Sequence, residues 1–143
     1  MDLNYFYVND VKTQFLKHAV SINKTSKDRI VKELRNGGDP KETIEKLYKD
    51  FINNRSYTIA ETTAVSGFNA GLLAGYKLQG YKKKMWVCQL LPTSRDSHVL
   101  ANGQTVGIDE YFSVGSDLLQ FPGDPTGSAE EVINCLCVII GEK

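Results

Sequence analysis

The spacing of apolar residues changes near residue 81, and this change constrains the fold more than any other feature of the chain. Before it, apolar residues recur every three or four positions, which is the repeat of an amphipathic α-helix. After it, short apolar runs are separated by turn residues, which is typical of strands. Helices followed by strands indicate the α+β class. We therefore expect a single domain of 143 residues, in which helices at about 1–80 pack on a small antiparallel sheet at about 84–140.

The helical half is predicted to contain about four helices. Residues 39–42 read Asp-Pro-Lys-Glu, which is a clear helix start: aspartate caps the first turn, proline suits the first helical position and glutamate can complete a capping box. A separate helix is expected to begin at Thr25 or Ser26, and a long helix to run from about 57 to 79. The apolar side chains expected to be buried together are Phe15, Leu34, Leu47, Phe51, Phe68 and Leu72.

The β-rich half contains one strong turn signal, Asn102-Gly103. This pair favours a two-residue hairpin turn, because both turn residues must adopt positive φ there. We therefore expect residues 98–101 and 104–107 to pair as the two strands of a hairpin. Also predicted are strands at about 84–90 and 135–140, a short strand near 111–112 and an irregular loop at 113–131.

The charge and hydropathy of the chain exclude several classes of protein. Its 17 basic and 17 acidic side chains cancel to a formal net charge of +0, whereas dedicated nucleic-acid-binding domains usually carry a positive surface. The short basic run at 82–84 is interpreted as a solvated junction between helix and strand. No apolar run approaches the ~18 residues of a membrane-spanning helix, and the first residues lack the basic and apolar segments of a secretory signal.

Polar side chains around the expected hairpin and the final strand are candidates for a structural or binding cluster. Arg95 offers five hydrogen-bond donors, and a neutral His98 offers one donor and one acceptor. We expect both to meet residues 134–137 and to fix a region that has little apolar surface of its own. The predicted cluster is Arg95, His98, Asn102, Gly103, Asp109, Asn134, Cys135 and Cys137, and no residue is assigned a catalytic role.

Two alternatives give these residues a chemical task. The first is a tetrahedral zinc site, although a Cys-x-Cys pair is tighter than the usual zinc knuckle. Its ligands would be Cys88, His98, Cys135 and Cys137. The second is a catalytic Cys-His pair, which needs a third group to orient the imidazole. The candidates for that group are Asp96, Asp109 and Asn134.

The three cysteines are an odd number and do not make a disulfide framework, so we expect reduced thiols and a cytosolic folding compartment. No cofactor is expected unless the zinc alternative holds.

Several motifs occur along the second half of the chain in a distinctive order. They are Phe68-Asn69-Ala70-Gly71, Arg95-x-x-His98, Asn102-Gly103, Phe121-Pro122-Gly123-Asp124-Pro125 and Glu131-x-x-Asn134-Cys135-x-Cys137. This order resembles the C-terminal domain of the phage Mu F-like minor head proteins, also called phage head morphogenesis proteins. The resemblance extends from about residue 55 to about residue 140, and its most specific part is the ending.

The resemblance implies a structural, non-enzymatic role in phage or prophage heads, in capsid and portal assembly or in DNA packaging and ejection. The implied partners are portal and capsid proteins, with at most weak contact to phage DNA, no membrane and no small-molecule substrate. The implied location is the host cytoplasm during assembly and then the virion. The alternatives that remain open are a small Cys-His hydrolase or nuclease and a zinc-stabilised binding module.

Overall fold

The computed structural model describes residues 3–37 and 39–143, and it describes their side chains except those of 3–11, 14 and 15. The helical half consists of α1 (Leu3–Arg35), α2 (Pro40–Asp50), a π-helical segment (Phe51–Arg55) and α3 (Ser56–Leu78). The second half consists of β1 (Lys83–Val87), α4 (Asp96–Ala101), β2 (Thr105–Gly107), β3 (Phe112–Val114), β4 (Asp117–Leu119), α5 (Ala129–Val132) and β5 (Val138–Glu142). The predicted α+β class is confirmed. Within the described ranges, no helix is both long and apolar enough to cross a bilayer.

Helix α1 is continuous where the sequence pattern predicts two helices. Thr25 and Ser26, the expected start of the second helix, lie in its interior. The Thr25 hydroxyl donates to the Ser21 carbonyl, and the Ser26 hydroxyl donates to the Ile22 carbonyl, each at 2.8 Å. Because both hydroxyls are satisfied by the preceding turn, neither competes for the backbone and the helix continues through them.

The predicted start of α2 is confirmed. Asp39 has extended backbone angles, and its carboxylate accepts hydrogen bonds from the backbone N–H groups of Lys41 and Glu42 at 2.9 and 3.0 Å. Pro40 occupies the first helical position. Asp50 and Ser56, which flank the π-helical segment, have right-handed helical angles, so one helical path runs from α2 into α3.

The prediction that the large apolar side chains of the helices share one core is wrong. Phe68 is 58% exposed, Phe51 and Leu34 are also exposed, and the Phe15 side chain lies outside the described residues. Leu47 and Leu72 are half-buried. Helix α3 instead buries a stripe of mostly small or polar residues, namely Thr62, Ser66, Asn69, Ala70, Leu73 and Ala74. Small side chains let a helix approach a sheet closely, and α3 contacts both α1 and β5.

The main sheet has three antiparallel strands in the order β2-β1-β5, and β3 and β4 form a separate antiparallel pair. In the central pairing, Trp86 of β1 lies opposite Ile139 of β5. The fully buried core between these strands and α3 includes Trp86, Phe112, Leu119, Phe121 and Ile139.

The predicted Asn-Gly hairpin requires correction. Residues 98–101 belong to helix α4, and β2 pairs with β1 rather than with them. Gly103 has a φ of +80°, whereas Asn102 has a φ of −59°. Both residues bond to the end of β1: the Asn102 side-chain oxygen accepts from the Cys88 N–H, and the Gly103 N–H donates to the Trp86 carbonyl, each at 2.8 Å. The turn therefore joins a helix to a strand of the main sheet.

The basic run at 82–84 is solvated only in part, because Lys84 is fully buried. Its ammonium donates to the Gln120 carbonyl at 2.8 Å and lies 5.2 Å from the centre of the Phe112 ring. Burial lowers the pKa of Lys84 to about 8.

The cap of α2 can be tested by Asp39→Ala. The variant leaves two backbone N–H groups without their acceptor, so we expect it to lower the free energy of unfolding by about 1 kcal/mol in urea denaturation. Glu45→Ala, at an exposed position inside the same helix, is the matched control and should change stability little. Equal effects of the two substitutions would contradict the capping role.

The burial of Lys84 predicts a pH dependence of stability. Between about pH 8 and pH 10.5 the unfolded chain keeps the Lys84 proton whereas the folded chain has released it, so this group makes the free energy of unfolding rise with pH across that window. Lys84→Met should remove this contribution, and Lys83→Met, at the exposed neighbour, should retain it. Urea denaturation at several pH values measures the difference. Superimposable pH profiles for the wild type and Lys84→Met would show that the Lys84 pKa is not lowered.

Candidate functional site

Most of the predicted site residues line a small cavity between α4 and the segment that leads into β5. Its volume is about 40 Å³. Its lining includes Cys88, Arg95, His98, Asn134, Cys135 and Cys137. The structure therefore brings His98 and Arg95 together with residues 134–137, which lie far from them in sequence.

Two sulfur atoms face one ring nitrogen at the centre of this cluster. The Sγ atoms of Cys135 and Cys137 lie 3.7 and 3.4 Å from His98 Nδ1, and the three atoms all lie within 4.8 Å of one another. Cys135 and Cys137 lie in the segment without regular structure just before β5, and both sulfurs face the same ring nitrogen. All three residues are at least 97% buried.

The second nitrogen of the His98 ring faces a carboxylate. His98 Nε2 lies 3.0 Å from Glu131 Oε2 in helix α5, although the alignment falls short of a hydrogen bond. The same oxygen accepts a hydrogen bond from the Ser97 hydroxyl at 2.7 Å. Gly115, at a φ of +58°, lies so close to Glu131 that a Cβ atom there would clash with the carboxylate. Glu131 begins the motif that ends in Cys137, but it was not predicted as a site residue, because no spacing in the chain relates it to His98.

The cysteine segment is held by helix α3. The buried side chain of Asn69 donates to the carbonyls of Cys137 and Pro122 at 3.0 and 3.1 Å and accepts from the Ile139 N–H at 3.1 Å. Asn134, at a φ of +57°, turns the chain out of α5 into this segment. Asn69 belongs to the Phe68-Asn69-Ala70-Gly71 motif but was not predicted as a site residue. A lone amide within a largely apolar helical stretch is the signal that could have identified it.

The other predicted residues have different partners. Arg95 donates to the Ile133 carbonyl and not to a carboxylate. Asp109 lies outside the cluster, since it is mostly exposed and its carboxylate is 2.9 Å from the Lys77 ammonium. Asp124 accepts from the backbone N–H groups of Gln120 and Thr126 and so fixes its own loop.

Cys88 lines the cavity, but its sulfur lies outside the group formed by the other three ligand atoms. It accepts a hydrogen bond from the Leu90 N–H at 3.5 Å and lies 3.7 Å from the Ser94 hydroxyl.

The two neighbouring thiols titrate unequally. A hydrogen bond with Cys137 lowers the pKa of Cys135, and the same bond, together with burial, raises the pKa of Cys137. The cluster combines two thiols and an imidazole, which are groups that can bind a soft metal ion or exchange protons.

The dependence of this site on α3 can be tested by Asn69→Ala. The variant leaves the Pro122 and Cys137 carbonyls and the Ile139 N–H without this partner, and we expect a loss of about 3 kcal/mol in the free energy of unfolding. Asn53→Ala, at an exposed position of the π-helical segment, is the control and should have little effect. A loss no larger than that of the control would contradict the role given to Asn69.

Comparison with known proteins finds a similar chain. No family model matches, and no solved structure matches. The chain is similar to the uncharacterized protein YqbB of Bacillus subtilis (strain 168), with 30% identity over 120 residues. The alignment covers 78% of this chain and 39% of YqbB, so the chain spans about two fifths of the length of this relative.

Proposed function

We propose that the chain is a structural, non-enzymatic module of a phage or prophage minor head protein that acts in capsid and portal assembly. The observation that carries the proposal is that the motif residues form hydrogen bonds within the protein itself. Asn69 and Arg95 bond to backbone groups of distant segments, and Asp124 bonds to backbone groups of its own loop, so these residues hold the protein's own structure together. The Mu F-like resemblance rests on these same motifs.

The burial of the candidate nucleophiles favours this role over a Cys-His hydrolase. A nucleophilic sulfur must contact the substrate carbonyl or phosphoryl group. Cys135 and Cys137 are only 2% and 3% exposed, and the adjoining cavity of about 40 Å³ is far smaller than a ligand pocket of roughly 300 Å³ or more. The carboxylate that faces the other nitrogen of His98 belongs to Glu131, and this side chain is mostly buried as well.

The helices supply apolar surface that suits protein partners. Large apolar side chains that are more than half exposed occur on each of α1, α2, the π-helical segment and α3. They are Leu16, Val20, Ile44, Tyr48, Ile52, Tyr57 and Phe68. Exposed apolar side chains of this size suit contact with other proteins, and portal and capsid proteins are the partners that we propose for them. The zero net charge accords with weak contact to DNA at most.

The proposal can be tested in a prophage that encodes the chain. Deletion of the gene should strongly reduce the number of complete heads seen by electron microscopy after induction, and wild-type protein should restore it. Ile44→Ser and Phe68→Ser replace exposed side chains, so they should keep the wild-type melting temperature but restore few heads. Leu118→Ser, at an exposed position on β4, is the matched control and should restore assembly.

Normal heads after deletion of the gene would refute the assembly role. A hydrolytic activity of the purified protein that is lost in a stable His98→Gln variant would instead establish the Cys-His enzyme.

A further inference from the structure

The nitrogen at the centre of the cluster has one lone pair but two sulfur neighbours. If Nδ1 carries no proton, it can accept a hydrogen bond from only one of the two thiols. The sulfur of Cys135 and the sulfur of Cys137 nevertheless both lie within 3.7 Å of it. A soft metal ion satisfies all three atoms at once, because each of them directs a lone pair at it.

The distances from the ring nitrogen to the two sulfurs match one tetrahedral ion. Zinc binds sulfur at about 2.3 Å and imidazole nitrogen at about 2.0–2.1 Å, so a sulfur and a nitrogen on one tetrahedron lie about 3.6 Å apart. The observed distances from His98 Nδ1, 3.4 Å to Cys137 and 3.7 Å to Cys135, bracket this value. Both nitrogen–sulfur distances therefore suit coordination of one ion, and the two sulfurs lie within 4.8 Å of each other.

The far side of the imidazole carries the group that a metal-binding histidine requires. Histidine ligands almost always direct their other ring nitrogen at a carboxylate, a carbonyl or a water molecule, which fixes the tautomer. Glu131 Oε2 lies 3.0 Å from His98 Nε2, and the Ser97 hydroxyl holds this oxygen in place. A proton on Nε2 leaves the lone pair of Nδ1 directed at the two sulfurs.

We propose that His98 Nδ1, Cys135 Sγ and Cys137 Sγ bind one zinc ion, and that Glu131 is a positioning residue for His98. The fourth position faces the small cavity and takes a water molecule. Cys88 stays outside the ligand set, because its sulfur is engaged by Leu90 and Ser94. Zinc at this site joins α4 to the segment before β5 and stabilises the fold. This proposal does not depend on the proposed role in head assembly.

Binding is a ligand exchange without redox change. The two thiols lose their protons to solvent, and the two thiolates and the imidazole nitrogen each displace water from the hydrated ion. Affinity should therefore fall as the pH is lowered.

The test is a titration of the full chain with cobalt(II), a spectroscopic substitute for zinc, after removal of metal with a chelator under reducing conditions. We expect the visible absorption of tetrahedral cobalt and a near-ultraviolet thiolate band, both saturating at one ion per chain and both abolished by added zinc. A spectrum of octahedral cobalt, or a Cys135–Cys137 disulfide formed in place of metal binding, would overturn the proposal without any variant having to fold.

Variants assign the ligands. Cys135→Ser and Cys137→Ser should each abolish the tetrahedral spectrum, whereas Cys88→Ser should retain it. His98→Cys, which keeps a soft ligand, should restore binding that His98→Ala loses. Glu131→Gln should weaken cobalt affinity by about 10–100-fold while the spectrum stays tetrahedral.

Two outcomes contradict these assignments. Loss of the ion in Cys88→Ser would overturn the open fourth position, and unchanged cobalt affinity in Glu131→Gln would overturn the positioning role. Failure of head assembly, with zinc binding intact, would bear on the proposed function alone.

Discussion

The buried amide of Asn69 is the interaction on which the rest of the structure most depends. A polar group inside a core is costly unless its hydrogen bonds are made, and this amide makes them to backbone groups on two separate segments. One is the loop at 121–125, and the other carries both cysteines into β5. Helix α3 thereby sets the position of the candidate site, although it contributes none of the three proposed metal ligands.

The close approach of α3 explains two further features of the chain. Its buried face is made of small side chains, and Gly123 packs directly against it with a φ of +80°. A Cβ atom at Gly123 would come within 3.2 Å of the Ser66 Cα atom, so a larger residue there would push the loop away from the helix. Asp124 then closes the same loop through its bonds to Gln120 and Thr126.

The candidate site is assembled from short elements on either side of one imidazole. Helix α5 supplies Glu131 to one nitrogen of His98, and the turn at Asn134 brings the cysteines to the other nitrogen. Because Asn134 adopts a left-handed conformation, the short stretch of chain from Glu131 to Cys137 contacts both nitrogens of the ring. Asparagine suits that position, because its short polar side chain tolerates positive φ.

The sequence by itself determined the class of the fold, the cap at Asp39 and the approximate bounds of α3, because these depend on contacts between residues close in the chain. It also indicated that His98 and Arg95 would meet residues 134–137. Only the tertiary structure decided the rest. Residues 96–101 form a helix, because the Asn-Gly pair that follows them bonds to β1. Helix α3 buries small residues in place of Phe68, because only small side chains fit where the helix packs closely on the sheet. The tertiary structure also placed Glu131 beside His98, a contact between elements that no local pattern encodes.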